Sequence, residues 1–252
     1  MVPVTLEPLT SDDTADAVAA RLAADGAAVI AGVDVRDDDR LLAVSALAGE
    51  PSTVGNAGAL VFDVTPRPDG TDLSSTAARF PLHTDSTFLP EPHAAIALGC
   101  VEAAGTGGRS CVVTARDACA AVGDDAVAAL AEPAYPFIVR DGATPAHVEL
   151  LPVVVPADDG PRLRYRADAI AMAAKAAEIT LADRHAQALD AFTRAIEDEA
   201  VQATVALRPG DVLLVDNRRA LHGRTAIGGD ERRLMRRVKL DARRPAPDDR
   251  RP

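Results

Sequence analysis

From residue 59 to residue 240 the chain is a series of short apolar segments, each bounded by residues that form turns. Short runs rich in Val, Ile and Leu are typical of β-strands, and one long amphipathic helix interrupts the series. Many short strands with few helices favour a β-sandwich or a barrel. We therefore predict a mainly β fold with peripheral helices. The predicted strands are residues 59–64, 93–102, 109–114, 135–140, 147–155, 162–166, 201–207, 212–216 and 234–240.

The first 58 residues have an α/β pattern that does not repeat. Ser11, followed by two aspartates, predicts the start of a helix that ends at Gly26, because a Ser cap and early acidic residues stabilise a helix N-terminus. A strand is predicted at residues 27–33 and a second helix at residues 37–47. In the later part, an Asp-Asp-Gly sequence ending at Gly160 predicts a hairpin turn. The long helix there has the apolar stripe Leu181, His185, Leu189, Phe192 and Ile196.

The net charge of −11 limits the class of partner. A sequence-independent nucleic-acid binder is normally basic, so we expect no nucleic-acid partner. No apolar stretch approaches the ~20 residues that span a bilayer, so we expect no membrane partner. The expected partner is a small-molecule substrate, and the formation of a homo-oligomer is left open.

The 252 residues suffice for one domain with a sizeable core, which we place at residues 1–241. Residues 242–252 are rich in Pro, Arg and Asp and are expected to be a disordered tail. Residues 1–12 lack a basic region followed by an apolar run, so we expect no signal peptide. Cys100, Cys111 and Cys119 are odd in number and lack C-x-x-C spacing, which favours reduced thiols in a cytoplasmic protein.

The sharpest local feature is the sequence Pro-Leu-His-Thr-Asp-Ser-Thr-Phe at residues 81–88. If this stretch is extended, His83 and Asp85 project from the same face, because side chains alternate along a strand. With a third ligand they would form the two-His, one-carboxylate set of non-haem iron(II) oxygenases. His-x-Asp alone is a weak signal, and the alternative is a surface loop whose His caps a strand.

A second segment, residues 207–224, strengthens the metal interpretation. It contains a Pro-Gly-Asp turn, an apolar strand, a polar turn and then His222 at the predicted start of another strand. A histidine on a sheet element is held rigidly, as a metal ligand requires.

A third segment, residues 231–240, predicts a strand with an unusual charge pattern. Arg233, Met235 and Arg237 would share one face of it. Seven arginines fall between positions 218 and 237, so a basic edge strand or a nucleic-acid patch is one reading. The other is that Arg233 faces inward and binds a carboxylate with its planar guanidinium.

Taken in order, these motifs resemble the taurine dioxygenase/TfdA family. They are His83-x-Asp85, then Gly-Gly-Arg-Ser ending at Ser110, then Asp-Asn-Arg leading to His222-Gly-Arg, then Arg233-x-x-x-Arg237. The His-Gly-Arg step and the Asp-Asn-Arg turn look most like the clavaminate synthase-like branch, which acts on amino acids. The resemblance runs from about residue 26 to residue 240. The fold it implies is a double-stranded β-helix, or jelly roll.

The resemblance also implies roles for individual residues. His83, Asp85 and His222 match the iron ligands. Arg233, the eleventh residue after His222, matches the arginine that binds the distal carboxylate of 2-oxoglutarate, and Ser110 stands where the family usually has a Thr hydroxyl on that carboxylate. Arg237 matches a second arginine, which in relatives contacts the cosubstrate or the substrate. The chain departs from the family in this Ser and in Val215, where many relatives have Trp.

The implied activity is that of an Fe(II)- and 2-oxoglutarate-dependent dioxygenase that uses O2. It would hydroxylate or desaturate an unactivated C–H of a small carboxylate-bearing substrate, such as an amino acid, and Asp85 argues against halogenation. Two alternatives stay open: a Zn-dependent hydrolase with the same His/Asp/His set, and a non-catalytic jelly-roll binding protein. His93, His147 and His185 are expected to be structural.

Overall fold

Fifteen β-strands and six α-helices make up the described part of this computed structural model. That part comprises residues 6–10, 15–55, 58–67, 70, 73–140, 146–228 and 232–243. The predicted N-cap at Ser11 and residues 244–252 of the predicted tail lie outside it. The helices are α1 (Ala15–Asp25), α2 (Asp38–Ser45), α3 (Ala115–Val122), α4 (Asp124–Leu130), α5 (Ala167–Ala176) and α6 (Asp183–Glu197). The strands are β1 (Leu9–Thr10), β2 (Ala27–Ala31), β3 (Glu50–Ser52), β4 (Val61–Val64), β5 (Phe80–His83), β6 (Ala95–Glu102), β7 (Ser110–Thr114), β8 (Tyr135–Val139), β9 (His147–Leu151), β10 (Val154–Val155), β11 (Arg162–Leu163), β12 (Ala203–Val205), β13 (Val212–Asp216), β14 (Ala220–Arg224) and β15 (Leu234–Asp241).

Two sheets face each other and carry the candidate site between them. The major sheet has seven strands in the order β1-β2-β13-β6-β15-β3, with β4 also paired to β15. The minor sheet has four strands in the order β12-β7-β14-β5. Two further ribbons, β8-β9 and β10-β11, complete the described sheets. The fold is the expected jelly roll, mainly β with helices on the outside.

Three apolar clusters show how the layers pack. One lies between the two sheets and includes Val29, Val112 and Leu213. A second packs α1 and α2 against the outer face of the major sheet, and a third packs α3 to α6 against the outer face of the minor sheet. Each fully buried Leu, Ile or Phe in these clusters contributes about 1.5–3 kcal/mol to folding. The site is therefore enclosed by two sheets that are each supported from behind.

Most predicted elements are confirmed with small shifts in their ends. Gly26 ends α1 with a positive φ of 68°, a conformation that glycine adopts without strain. The hairpin turn at Gly160 joins β10 to β11, with Val155 opposite Arg162. The predicted strand 147–155 is instead two strands, because Pro152 interrupts it and cannot donate a hydrogen bond to a sheet.

Three helices were not predicted: α3, α4 and α5. They are short, with eight, seven and ten residues, so the periodicity of buried positions repeats only a little within each of them. A local signal was present for α3, since the Thr114 side chain accepts a hydrogen bond from the N–H of Asp117 at 3.0 Å. None of the helices in the described ranges is both long and apolar enough to cross a bilayer.

Candidate metal and cosubstrate site

His83 ends strand β5, and two neighbours on the same strand fix its ring. Phe80 stacks on the ring with the two centroids 4.1 Å apart. The Nδ1 atom of His83 lies 2.9 Å from the carbonyl oxygen of Pro81, which can only accept a hydrogen bond. Nδ1 therefore carries the proton, and Nε2 keeps the lone pair that a metal needs.

Asp85 lies just beyond β5, in a turn that other parts of the chain hold in place. The side-chain amide of Asn217 accepts a hydrogen bond from the Asp85 N–H at 2.7 Å and donates to the carbonyl oxygens of Asp85 and His93 at 3.1 and 2.9 Å. Thr84, between the two ligands, donates its N–H to the carbonyl oxygen of Tyr165 at 2.7 Å. Asn217, in the polar turn after β13, thus fixes the backbone of Asp85 in the turn that follows β5.

His222 lies at the centre of β14, not at the start of a strand as the sequence predicted. It pairs in register with His83 of β5 on one side and with Val112 of β7 on the other. Gly223 permits this close pairing, since a Cβ atom there would lie 2.7 Å from the carbonyl oxygen of Phe80. A central position between two strands holds the ring more rigidly than a strand end would.

These three side chains form one buried cluster. Their ligand atoms all lie within 4.8 Å of one another, and no other His, Cys, Asp or Glu group with such spacing occurs among the residues that the structure describes. Nε2 of His83 and Nδ1 of His222 are buried without a hydrogen-bond partner in that part of the chain. Buried nitrogens of this kind are costly unless another group, such as a metal ion, binds them. The set fits a divalent metal of the two-His, one-carboxylate type.

The local charges hold the cluster in the protonation states that metal ligands require. Burial opposes ionisation of Asp85, but the positive charge of Arg237 outweighs it and holds the pKa of that carboxyl well below its usual value. Burial, followed by the neighbouring His83, lowers the pKa of His222 to about 3. At pH 7 the carboxylate is therefore charged and the His222 ring is neutral.

Arg233 and Ser110 face each other across the two sheets and line one cavity together with His83 and His222. Both residues are buried, Arg233 at 7 % and Ser110 at 3 % exposure. No hydrogen bond or ion pair joins the Arg233 guanidinium to another described residue. Burial, and then the nearby Arg224, lower the pKa of Arg233. A buried guanidinium without a counter-charge is suited to bind a carboxylate.

Arg237 on β15 and Arg233, the residue just before this strand, line the same cavity, as the alternation predicted, and Met235 lies between them. Its Nη1 donates to Oδ2 of Asp85 at 3.3 Å, while Oδ1 of Asp85 lies 3.6 Å from Nε2 of His83. The sequence left two possible partners for Arg237, a substrate carboxylate or an acidic residue of the protein. The structure shows that Asp85 is one partner. The Nε atom of Arg237 remains buried without a partner among the described residues. Strand β15 lies inside the major sheet, between β6 and β3. The interpretation of residues 231–240 as a basic edge strand is therefore wrong.

Two further cationic side chains, to which the sequence assigned no role, border the site. Arg224 is two residues beyond His222 on β14 and is only 6 % exposed. Lys239 continues the inward face of β15 beyond Arg237 and donates from Nζ to the carbonyl oxygen of Gly55 at 3.2 Å. The signal for both was the alternation of side chains along strands that already carried assigned residues.

The remaining histidines do not join the metal cluster. His93 is buried, with Nδ1 2.8 Å from the Ser86 hydroxyl. His147 is exposed on β9. His185 lies on α6 with Nε2 3.1 Å from Oε2 of Glu132. A wider groove of about 840 Å³ on the outer face of the minor sheet, lined by Arg79 among others, contains none of the metal-cluster residues.

Comparison with known families gives one match. The sequence profile of the taurine catabolism dioxygenase TauD, TfdA family matches residues 3–238, which is nearly the whole chain. No curated protein sequence is detectably similar to the chain.

Solved structures share the fold at low sequence identity. An asparagine oxygenase in complex with Fe(II), (2S,3S)-3-hydroxyasparagine and succinate superposes with a TM-score of 0.73 and 22 % identity, over 91 % of this chain and 79 % of that one. The non-haem iron oxygenase OrfP, in complex with Fe, succinate and (3S)-hydroxy-L-Arg, gives a TM-score of 0.68 and 21 % identity, over 90 % and 78 %. OrfP with Fe and α-ketoglutaric acid gives 0.68 and 22 %, over 90 % and 79 %.

Proposed function

Because this chain belongs to the taurine catabolism dioxygenase TauD, TfdA family, and is thus an Fe(II)- and 2-oxoglutarate-dependent dioxygenase, we propose that it hydroxylates a C–H bond of a small amino acid. Desaturation of the same C–H is the second possible outcome of this chemistry. The observation that carries the proposal is the buried cluster of His83, Asp85 and His222 beside Arg233, whose guanidinium has no hydrogen-bond or ion-pair partner among the described residues.

We assign the metal to His83, Asp85 and His222. An iron ion held by these three residues would, together with 2-oxoglutarate and O2, supply the oxidant that removes hydrogen from an unactivated C–H. The chain's own contribution is to hold these ligands in fixed geometry. Asn217 fixes the Asp85 backbone, Pro81 fixes the His83 tautomer, and register with β5 and β7 fixes His222.

We assign the distal carboxylate of 2-oxoglutarate to Arg233 and Ser110. The two residues come from opposite sheets and line the cavity that reaches His83 and His222. A guanidinium offers two parallel N–H donors to a carboxylate, and a hydroxyl adds a third. A zinc hydrolase with the same metal ligands gives neither residue a role, which favours the oxygenase over that alternative.

We propose that the substrate carboxylate binds to the Nε side of the Arg237 guanidinium. One side of its guanidinium already orients Asp85, but Nε is buried and unpartnered in the described part of the chain. The complexes of asparagine oxygenase and OrfP with hydroxylated amino acids support an amino acid as the substrate class. The free thiols of Cys100, Cys111 and Cys119 support a cytoplasmic location, which we also propose.

The proposal is tested by reconstituting the purified chain anaerobically with Fe(II), adding 2-oxoglutarate and O2, and screening the twenty amino acids for stimulated release of succinate. We expect one or a few amino acids to raise succinate release well above the substrate-free rate and to gain the mass of one oxygen atom. A hydrolase or a pure binding protein would release no succinate with any of them. Replacing Fe(II) by Zn(II) is the matched control and should abolish the signal.

A further inference from the structure

Arg224 is a second arginine inside the cosubstrate cavity. It lies two residues beyond His222 on β14, so both side chains leave the same face of the strand, toward the major sheet. Its neighbour across the strand pair is Ser110 of β7. Arg224 also lines the same cavity as Arg233. Two guanidiniums and one hydroxyl therefore surround one end of this cavity.

The two Nη atoms of the Arg224 guanidinium differ in their hydrogen bonding. Nη2 donates to the carbonyl oxygens of Thr76 and Ala78, each at 2.8 Å. Nη1 is fully buried and has no partner among the described residues. If the residue only tethered the segment at residues 76–78, there would be no reason to bury the second nitrogen unpaired, because an unmade hydrogen bond is destabilising.

The charges at this end of the cavity are also unbalanced. Neither Arg224 nor Arg233, which line the same cavity, forms an ion pair with an acidic side chain in the described part of the chain. Buried cations that are close together require an anion between them. A carboxylate at this position would accept hydrogen bonds from both guanidiniums and from Ser110.

We propose that Arg224 binds the distal carboxylate of the cosubstrate through Nη1, together with Arg233 and Ser110. This inference rests on the proposed use of 2-oxoglutarate at this site. Arg224 is then a residue with two contacts, one to the cosubstrate and one to the segment at residues 76–78 that leads into β5. The competing explanation is a purely structural arginine that holds this segment.

The experiment compares two 2-oxo acids. 2-Oxoglutarate and 2-oxopentanoate share the metal-binding end and the chain length, but only the first has a distal carboxylate. Their dissociation constants are measured by anaerobic calorimetry on the Fe(II)-loaded wild type and on Arg224→Gln and Arg224→Lys. Arg236→Gln is the matched control, because Arg236 lies on the outward face of β15 and pairs with Asp38 and Asp63.

Arg224→Gln should weaken 2-oxoglutarate about tenfold or more and change the affinity for 2-oxopentanoate less than about twofold, since only the first ligand loses a charge-assisted contact. The Arg224→Lys variant keeps a point charge, so its affinity for 2-oxoglutarate should lie between those of Arg224→Gln and the wild type. Arg236→Gln should change neither. If both acids weaken equally, or neither does, Arg224 is structural and the inference is wrong.

A second measurement needs no change at Arg224 and so does not depend on the folding of its variants. The double variant Arg233→Gln, Ser110→Ala should still bind 2-oxoglutarate several-fold more tightly than 2-oxopentanoate, because Arg224 remains. Complete loss of this preference would overturn the inference. A wild type that binds neither acid would instead overturn the proposed function, which distinguishes the two failures.

Discussion

His83 and His222 lie directly opposite each other on neighbouring antiparallel strands, with their ring centroids 4.3 Å apart. Two of the three proposed metal ligands are therefore a cross-strand pair, and a metal bound to both would join β5 to β14. Residues paired in this way are placed by the register of the sheet and not by the flexibility of a loop. The relationship links metal binding to the integrity of the minor sheet.

Removal of any one metal ligand should abolish turnover and leave the fold intact. We expect His83→Ala, Asp85→Ala and His222→Ala each to lower succinate release by more than about a hundredfold, since loss of a residue that only supports a ligand already costs 10–100-fold. Metal content by elemental analysis and circular dichroism of each variant check this. His147→Ala, at an exposed position, is the control and should behave as wild type. Normal iron content and activity in any of the three variants would contradict the assignment.

Metal should stabilise the protein against heat. A ligand that binds only the native state, at a hundred times its dissociation constant, adds about 2.7 kcal/mol to the free energy of unfolding. We expect Mn(II), which avoids oxidation, to raise the melting temperature and a chelator to reverse the rise. His222→Ala should show no rise, because the cross-strand bridge is gone. An equal rise in this variant would place the stabilising metal elsewhere.

The two cosubstrate contacts should differ in strength. Arg233→Ala removes a buried, charge-assisted pair and should weaken 2-oxoglutarate binding by roughly 2–5 kcal/mol. Ser110→Ala removes one hydroxyl contact and should cost about 1 kcal/mol. Calorimetric titration of the anaerobic Fe(II) protein measures both. An Arg233→Ala protein that saturates at the same 2-oxoglutarate concentration as wild type would disprove this role.

Arg237 should recognise the substrate carboxylate. Arg237→Lys should raise the substrate KM, because a point charge cannot replace the planar guanidinium, whereas the KM for 2-oxoglutarate should change little. Converting the carboxylate of the best substrate to an amide should lower kcat/KM strongly for the wild type. Equal turnover of acid and amide would show that Arg237 serves Asp85 and does not recognise the substrate carboxylate.

Asn217 should act on the metal through the backbone of Asp85. Asn217→Ala leaves one N–H and two carbonyl oxygens in the turn without their partner, so we expect metal affinity to fall about 10–100-fold and the free energy of unfolding to fall by about 1–3 kcal/mol. Gln202 is a matched buried amide that donates to the carbonyl oxygen of Ile196, away from the metal cluster. Gln202→Ala should lower stability and leave metal affinity unchanged. Equal loss of metal affinity in both variants would refute the positioning role.

The sequence was sufficient to predict that His83, Asp85 and His222 come together, because each of them lies in a short motif whose spacing has chemical meaning. The alternation of Arg233, Met235 and Arg237 likewise predicted one inward face. The strands of the jelly roll were predictable because burial of both sheet faces gives continuous apolar runs, such as residues 212–215 in β13.

What the sequence did not reveal depends on contacts between distant segments. The pairing of Asp85 with Arg237 joins residues 152 positions apart, and the hydrogen bonds of Asn217 span 132 positions. Periodicity carries no information on such pairs. The helices α3 to α5 were missed for a different reason, because each is too short for the periodicity of its buried positions to repeat often.

The alternation along β15 makes the strand unusually sensitive to a change of length. Arg233 and Arg237 face the cavity, while Arg236 points away from it and pairs with Asp38 and Asp63. An irregularity in pairing with β6 falls between Leu234 and Met235, on the segment between the two inward-facing arginines. Deletion of Met235, or insertion of one residue between Met235 and Arg236, would turn the side chain of Arg237 outward and that of Arg236 inward, although both arginines would still be present. Laboratory evolution of this enzyme should therefore accept substitutions in β15 far more often than changes in its length.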